Sequence, residues 1–458
     1  MKPPRERSCL FSWALAVCWV VLVLPLMAFA EGHPPLSLSE AIATALVHSP
    51  SVHAARHQVE AAVAQTTQAR SGLLPQLDVS EAYSNTNSPL WAFGTRLNQG
   101  VITPQDFSPD RLNNPDAINN FKTALTLTWQ LFDGGRDWIG WRQAQQNQEA
   151  GQLALLRGEQ GVIAQTAMAY VACLLAVENR NVVTQALETA RAHLKVVMDR
   201  QRSGLAVKSD ELRAQVRIAD LEQQQLMAES QVQVTLAMLG AAMGRPEAVP
   251  GAAGLVSALT QAAPSQGDLD GWVAKALAHR PDLKQMQIQE GIARAQVSRA
   301  RAGHYPSLAL QGNYEINSEQ FDDSQDNYTV GAVVQVNLFS GQRISAQSAE
   351  AKALLARIRA MRDSLVLGVR VDTEQAFYQA QSAWQSIEVA RRAVAQSEEG
   401  LRIVANRYEN GLLALISLLD AQVTHQQAQT QHFKALHDYT VARIALAFAT
   451  GTIDKDFQ

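Results

Sequence analysis

Cysteine is scarce in this chain, with three residues among 458. Cys9 and Cys18 lie within residues 1–30, so a chain that loses a leader keeps Cys173 alone and has no intramolecular disulfide. Cys173, beside Val171 and Leu174 on a helical pattern, reads as a small core residue rather than a redox group. Glycine (26) and proline (16) are too few for a collagen-like or low-complexity chain, and a 47% hydrophobic content is too high for disorder. Long apolar runs are also missing. Mean hydropathy is -0.12, and the one stretch able to cross a bilayer as a helix is at the extreme N-terminus. A multi-helix membrane protein is excluded. No GxxxxGK, HExxH, GxSxG or CxxC occurs, so no recognisable catalytic set is present and neither enzyme activity nor a cofactor is expected.

The N-terminal stretch has the form of a secretory signal over residues 1–30. Lys2, Arg5 and Arg7 precede an apolar run from Cys9, which ends on Ala28-Phe29-Ala30 before Glu31. An uncleaved anchor is the alternative. Cleavage moves the net charge from -4 to -6. A mildly acidic exported chain has no electrostatic case for nucleic acid.

The chain repeats itself. Residues 45–83 align without gaps on 276–314, pairing ALVHSPSV with ALAHRPDL and QTTQARSGLLPQL with QVSRARAGHYPSL. Farther on, LFDGGR (131–136) pairs with LFSGQR (338–343), and RQRSGL (200–205) with RYENGL (407–412). The two units are 31–250 and 251–458. The offset falls from 231 to 207, which places 24 extra residues of the first unit between Tyr83 and Leu131. That stretch, rich in Asn, Pro, Asp and Ser, is expected to be a long loop over 85–120.

Each unit has one order of elements. A helix is expected over 38–72 and again over 269–303, N-capped by Ser37 or Ser39 and by Asp268 or Asp270. Period-two alternation then predicts strands at about 76–84, 121–132, 307–316 and 328–339, the clearest being Phe121, Thr123, Leu125, Leu127, Trp129 and Leu131. Helical period follows from 135 to 203 and from 342 to 410, roughly 100 Å each at 1.5 Å per residue. Gly204 and Gly411 mark turns, and return helices are expected over 208–243 and 415–449. Alanine-rich steps of three and four, such as Leu187, Ala190, Leu194 and Val197, give a coiled-coil seam that needs neighbouring helices.

Strands of this length with one apolar face suit a membrane barrel, which must close because lipid offers no hydrogen bonds. Four strands per chain are too few, so a dimer of eight or a trimer of twelve is required. An ordinary antiparallel sheet in a periplasmic protein is the competing interpretation. Tyr83, Trp91, Trp129, Trp138 and Trp141 near strand ends suit an interfacial belt, with core packing as the alternative.

The doubled unit, ALVHSP and ALAHRP, ARSGLLPQL and ARAGHYPSL, LFDGGR and LFSGQR, and RYENGLLALISLLDAQ together resemble the TolC-type outer-membrane efflux proteins over nearly all of the mature chain. The resemblance implies a fold that is mainly α with a membrane β-barrel: a homotrimer sharing twelve strands, continued by a long periplasmic α-helical barrel. It implies a passive exit duct in the cell outer membrane, working with a periplasmic membrane-fusion adaptor and an inner-membrane pump in efflux or type I secretion. The adaptor-docking tip would hold Arg200, Gly204, Leu205, Arg407, Gly411 and Leu412, although helix-capping charge is an equal reading of the two arginines. The periplasmic gate would use Asp210 and Asp420, which stand at matching positions, in rings that favour cations. Solvated helix-face carboxylates are the plainer reading of both. Ser417 stands where a second gate aspartate is expected, and Leu413 where a basic partner can occur.

His53 and His57 stand four apart on a helix, and His425, His432 and His437 lie along the last one, without partners that would make a metal site. The alternative outside the channel class is a periplasmic coiled-coil adaptor or scaffold, which normally has a single helical hairpin flanked by β-domains.

Overall fold

A computed structural model describes residues 36–456 apart from 250, 252–253, 257–258, 260–266 and 321–322. The leader expected over 1–30 lies outside the described residues. Leu38–His48 (α1) opens on a capping box, in which Ser37 and Glu40 each accept the other's backbone N–H. The single helix expected over 38–72 is two: the chain bends at Ser49 and resumes as Pro50–Ser71 (α2). In the second unit the elements α7 (Leu269–His279, capped by Asp268) and α8 (Pro281–Arg301) bend at Arg280 in the same way. Proline is the cause. It bars the preceding residue from the helical region, and Ser49 and Arg280 both sit at ψ 122°.

Four strands, β1 (Gln76–Thr86), β2 (Ile118–Phe132), β3 (Ser307–Ser318) and β4 (Ser324–Gln335), form an antiparallel meander in the order β1-β2-β3-β4. The last strand begins and ends four residues before the expected 328–339, because the hairpin pairs Ser318 with Ser324. The segment expected as a long loop also differs. It contains α3 (Pro89–Asn98), a 3-10 turn at Pro104–Phe107 and α4 (Pro109–Asn113). Each has its proline in the first turn, where a missing N–H costs nothing, so residues that suggest loop punctuation start helices here.

Alternation gives the sheet two unlike faces. Leu77, Leu127, Gly312 and Val330 form one row, beside Val79, Leu125, Tyr314 and Tyr328. The opposite face carries Asp78, Thr126, Asn313 and Thr329, then Ser80, Ala124, Glu315 and Asn327. Glu315 pairs there with Lys122. Much of the apolar face is uncovered: Val79 is 73%, Val330 70% and Tyr328 78% exposed. Among the belt candidates, Trp129 donates to the Leu73 carbonyl at 3.2 Å, and Trp138 and Trp141 meet edge to face at 4.9 Å.

Asp133 of LFDGGR turns β2 into the next helix by accepting from the N–H groups of Gly135 and Asp137. That helix, α5 (Arg136–Arg202), and its counterpart α9 (Arg343–Glu409) are 67 residues each, about 100 Å long. The return helices are α6 (Lys208–Ala242) and α10 (Leu415–Thr450), and the described chain ends in α11 (Ile453–Asp456). The main core lies midway along the hairpins, where Ile42, Ile163, Tyr170, Leu239, Tyr439 and Ile444 are buried together. Tyr170 donates to the Leu36 carbonyl at 2.9 Å. Cys173 is buried there, its thiol pushed up to about 11 by burial. One window of α5 is apolar enough to cross a bilayer, yet 61% of it is buried in this core. It is core, not a span.

Both units close on the same clamp. Gly244, at φ +69°, lies against the His48 carbonyl beside the first proline bend, and Gly451, at φ +71°, lies against Arg280 at the second. A Cβ at Gly244 would sit 2.6 Å from that oxygen, so the approach requires glycine. Arg280 itself is 5% exposed and bonds Asp282 at 2.7 Å and Asp372 at 3.0 Å. Burial raises the Asp282 pKa, but the Arg280 bonds outweigh it and hold the carboxyl below its usual range. A depressed carboxylate contributes stability above its unfolded pKa of about 3.9 and loses it as pH falls through the lower folded value. Asp282→Asn should therefore lower stability by about 1.5–3 kcal/mol at neutral pH. In thermal melts followed by circular dichroism the penalty should shrink below about pH 4. An equal penalty at both pH values would refute this role.

Candidate gate and docking tip

The far ends of the two hairpins are built alike. At the first, the Gly204 N–H reaches the Gln201 carbonyl at 3.0 Å and the Leu205 N–H reaches Arg200 at 2.8 Å. At the second, Gly411 reaches Tyr408 and Leu412 reaches Arg407, both at 2.9 Å. This is the paired bonding of a Schellman cap, which requires a left-handed residue. Gly204 and Gly411 supply it at φ +75° and +73°. The caps leave Leu205 71% and Leu412 73% exposed at the extremity of the molecule.

The two arginines are not equivalent. Arg200 extends from the first hairpin to the second, donating from Nη1 to the Tyr408 carbonyl at 2.5 Å, with its guanidinium 5.0 Å from the Tyr408 ring centre. It thus caps the C-terminus of α9, not of its own helix. Arg407 is exposed and makes no counterpart contact. Tyr408 is the buried centre of the tip, packed with Val197, Ala214, Leu415 and Leu418. Burial raises its hydroxyl pKa against the pull of Arg200, with the charge of Asp210 adding to the rise.

Asp210 is half-buried near this cluster and its N–H bonds the Val207 carbonyl at 3.0 Å, whereas Asp420 is exposed. They are not matching positions. At the 207 offset of the repeat, Asp210 pairs with Ser417 and Asp420 with Arg213. Ser417 is half-buried in the first turn of α10, and Leu413 precedes that helix. Three features escaped sequence reasoning. One is the Arg200–Tyr408 bridge, for which no spacing rule exists. Another is Glu211, 7% exposed and bonded to Lys208 at 2.6 Å. The third is a polar clasp between α6 and α10, in which Arg217 donates to Gln426 and Gln426 to Gln224 at 2.9 Å.

The histidines are dispersed. His57 meets Glu60, His425 meets Ser397 and His437 meets Asp438. Among the described residues no three His, Cys, Asp or Glu side chains gather as metal ligands would.

A four-stranded amphipathic sheet is continued by two helices about 100 Å long, each followed by a return helix. The family model described as "Outer membrane efflux protein" matches residues 41–245 and 272–452, and the chain belongs to that family. Among curated relatives it is 27% identical to Protein CyaE of Bordetella pertussis, across 97% of this chain and 90% of that one. It is 23% identical to the pyoverdine export outer membrane protein OpmQ of Pseudomonas aeruginosa, across 86% and 80%. The fold matches the outer membrane protein VceC of Vibrio cholerae with a TM-score of 0.75 and 20% identity, over 90% of this chain and 96% of that one. Because the family match takes in both hairpins and all four strands, the adaptor or scaffold alternative is set aside.

The asymmetry at the tip makes a prediction. Arg200→Ala should weaken the junction of the hairpins by about 1.5 kcal/mol, the low end for a charged hydrogen bond at a partly solvated site. Arg407→Ala should leave it intact. Distances between spin labels at Ser203 and Asn410 should broaden for the first variant and not the second. Equal broadening in both would rule out the bridge.

Proposed function

We propose that this protein is the outer-membrane exit duct of a tripartite efflux or type I secretion system, a passive channel driven by its partners. It works as a homotrimer. Three copies supply twelve strands, which exceeds the eight of the smallest membrane barrels. One observation carries the reading: a sheet apolar on one face and polar on the other, with β1 and β4 unpaired at its edges among the described residues, continuous with helices about 100 Å long. In lipid such edges must pair, so the apolar face turns outward and the polar face lines the lumen. The hairpins support the same arrangement. Leu367, Val371 and Tyr378 on α9 and Val216, Leu226 and Met238 on α6 are exposed apolar groups that neighbouring helices would cover.

The tip is the closing end. Leu205 and Leu412 are the anchors offered to a periplasmic membrane-fusion adaptor, which couples the duct to an inner-membrane pump. Asp210 and Asp420 form carboxylate rings at two different heights, since the repeat does not superimpose them. With Ser417 and Leu413 in place of a second aspartate and a basic partner, Arg200 and Tyr408 hold the closed state. Opening untwists the inner helix pairs when the adaptor engages.

The test is a purified, detergent-solubilised protein. Light scattering should give a mass near three chains, and planar bilayers should show small cation-preferring channels. Asp210→Ala and Asp420→Ala should each reduce cation preference. An unchanged single-channel record would remove both residues from the gate, and a monomer soluble without detergent would defeat the duct. Leu205→Asp with Leu412→Asp should abolish adaptor co-purification while leaving the trimer intact.

A further inference from the structure

We propose that α3 and its two symmetry copies form an apolar plug in the outer mouth of the barrel. The inference rests on the trimeric duct proposed above. The extra residues of the first unit join β1 to β2 at the end of the sheet away from the long helices. They fold over one particular face. Gln99 Nε2 donates to Asn120 Oδ1 at 2.9 Å and to the Asn119 carbonyl at 2.7 Å, and Asn120 donates to Asn317 at 2.9 Å. Asn327 donates to the Asn98 carbonyl at 3.1 Å, and Gly100 lies against the Gln325 side chain. By strand parity Asn120, Asn317, Gln325 and Asn327 all belong to the polar, lumenal face. The segment therefore folds into the mouth and not over the lipid-facing surface.

It is also held there as a preformed unit. Asp106, 5% exposed, accepts from Thr103 at 2.7 Å and pairs with Arg111 at 3.4 Å and Arg96 at 3.6 Å, tying α3 to the following turn. Ala92 is fully buried beneath the helix. On the opposite side of α3 stand Leu90 (78% exposed), Trp91 (69%) and Leu97 (49%), with open space around Gly94 between them. Residues 90, 94 and 97 share one helical face, and glycine lets another backbone approach closely.

This apolar face points away from the barrel wall. In a closed threefold barrel, an element tethered to the inner wall meets its own copies at the axis. The C-terminal end of α3 reaches β4, an edge of the sheet where the next copy must join. Barrels of eight strands are filled by side chains, while those of sixteen leave an open channel. At twelve strands, three helices about 10 Å across close most of the mouth. Leu90, Trp91 and Leu97 of each copy bury one another there and exclude water until the plug opens.

Two measurements on the full-length protein test this. In membranes, L90C should cross-link to a second copy with a short bis-maleimide; the other thiol in the described residues, Cys173, is buried. In whole cells, the lumenal variant T126C should react slowly with a large impermeant maleimide, and several-fold faster when L90S, W91S and L97S are added. The second assay reads the mouth independently of the closed tip. A protein trimeric by light scattering in which L90C fails to cross-link, or in which the triple serine change leaves labelling unchanged, overturns the plug and leaves the duct standing. Reaction of L90C with a lipid-dissolved maleimide instead puts the patch in the bilayer and also overturns it. A monomer defeats both the plug and the duct.

Discussion

The whole molecule depends on an unmet backbone requirement. β1 and β4 end the sheet with rows of N–H and C=O groups that no other strand among the described residues pairs. In water such edges are an aggregation hazard, and in hydrocarbon each unpaired group costs several kcal/mol. The strands carry the apolar face of a membrane sheet without the number of strands that closes one. Assembly with other copies is thus the condition under which this sequence has a low-energy structure in a bilayer.

That condition orders the remaining parts. Once the barrel closes, strand parity makes the lumen polar, as Asn313, Glu315 and Thr329 indicate, and puts Val79, Tyr328 and Val330 against lipid. The hairpins must then run side by side away from the membrane, which brings the exposed apolar residues of α6 and α9 to neighbouring copies. The chain's own core is short and central, around Tyr170, Ile163 and Tyr439, where α1 and the ends of the return helices pack on α5. Stability within a protomer is concentrated at that waist. The tip depends instead on a small cluster around Tyr408 and on one arginine.

The duplication explains both the regularity and its exceptions. Paired glycines at the turns, paired proline bends and the clamps of Gly244 and Gly451 recur because each unit solves the same geometrical problem. The units diverge where both must contribute to one place. Arg200 bridges to the other hairpin and Arg407 does not; Asp210 aligns with Ser417 of the other unit; the extra helix α3 has no counterpart among the described residues of the second unit. Identical units would give each chain two equivalent tips. Divergence makes them unlike, and one hairpin can hold the other.

Local pattern alone determined the alternating strands, the long helices and the two glycine turns, because each depends on neighbours within a few residues of sequence. Phe121 to Leu131 can bury one face only as a strand, and Gly204 and Gly411 occupy backbone angles that other residues avoid. The proline bends in ALVHSP and ALAHRP follow from the restriction proline puts on its predecessor, but helical periodicity on both sides concealed them. The short helices at Pro89, Pro104 and Pro109 were hidden for the opposite reason, since proline is as suited to a first helical turn as to a loop. Tertiary structure alone decided that Arg200 reaches the Tyr408 carbonyl 208 residues away, that Glu211 is buried, and that Gln99 binds the polar face of the sheet. Such contacts join segments distant in sequence, and no periodicity records them. They exist because the hairpins and strands have already been brought together by the burial of other residues.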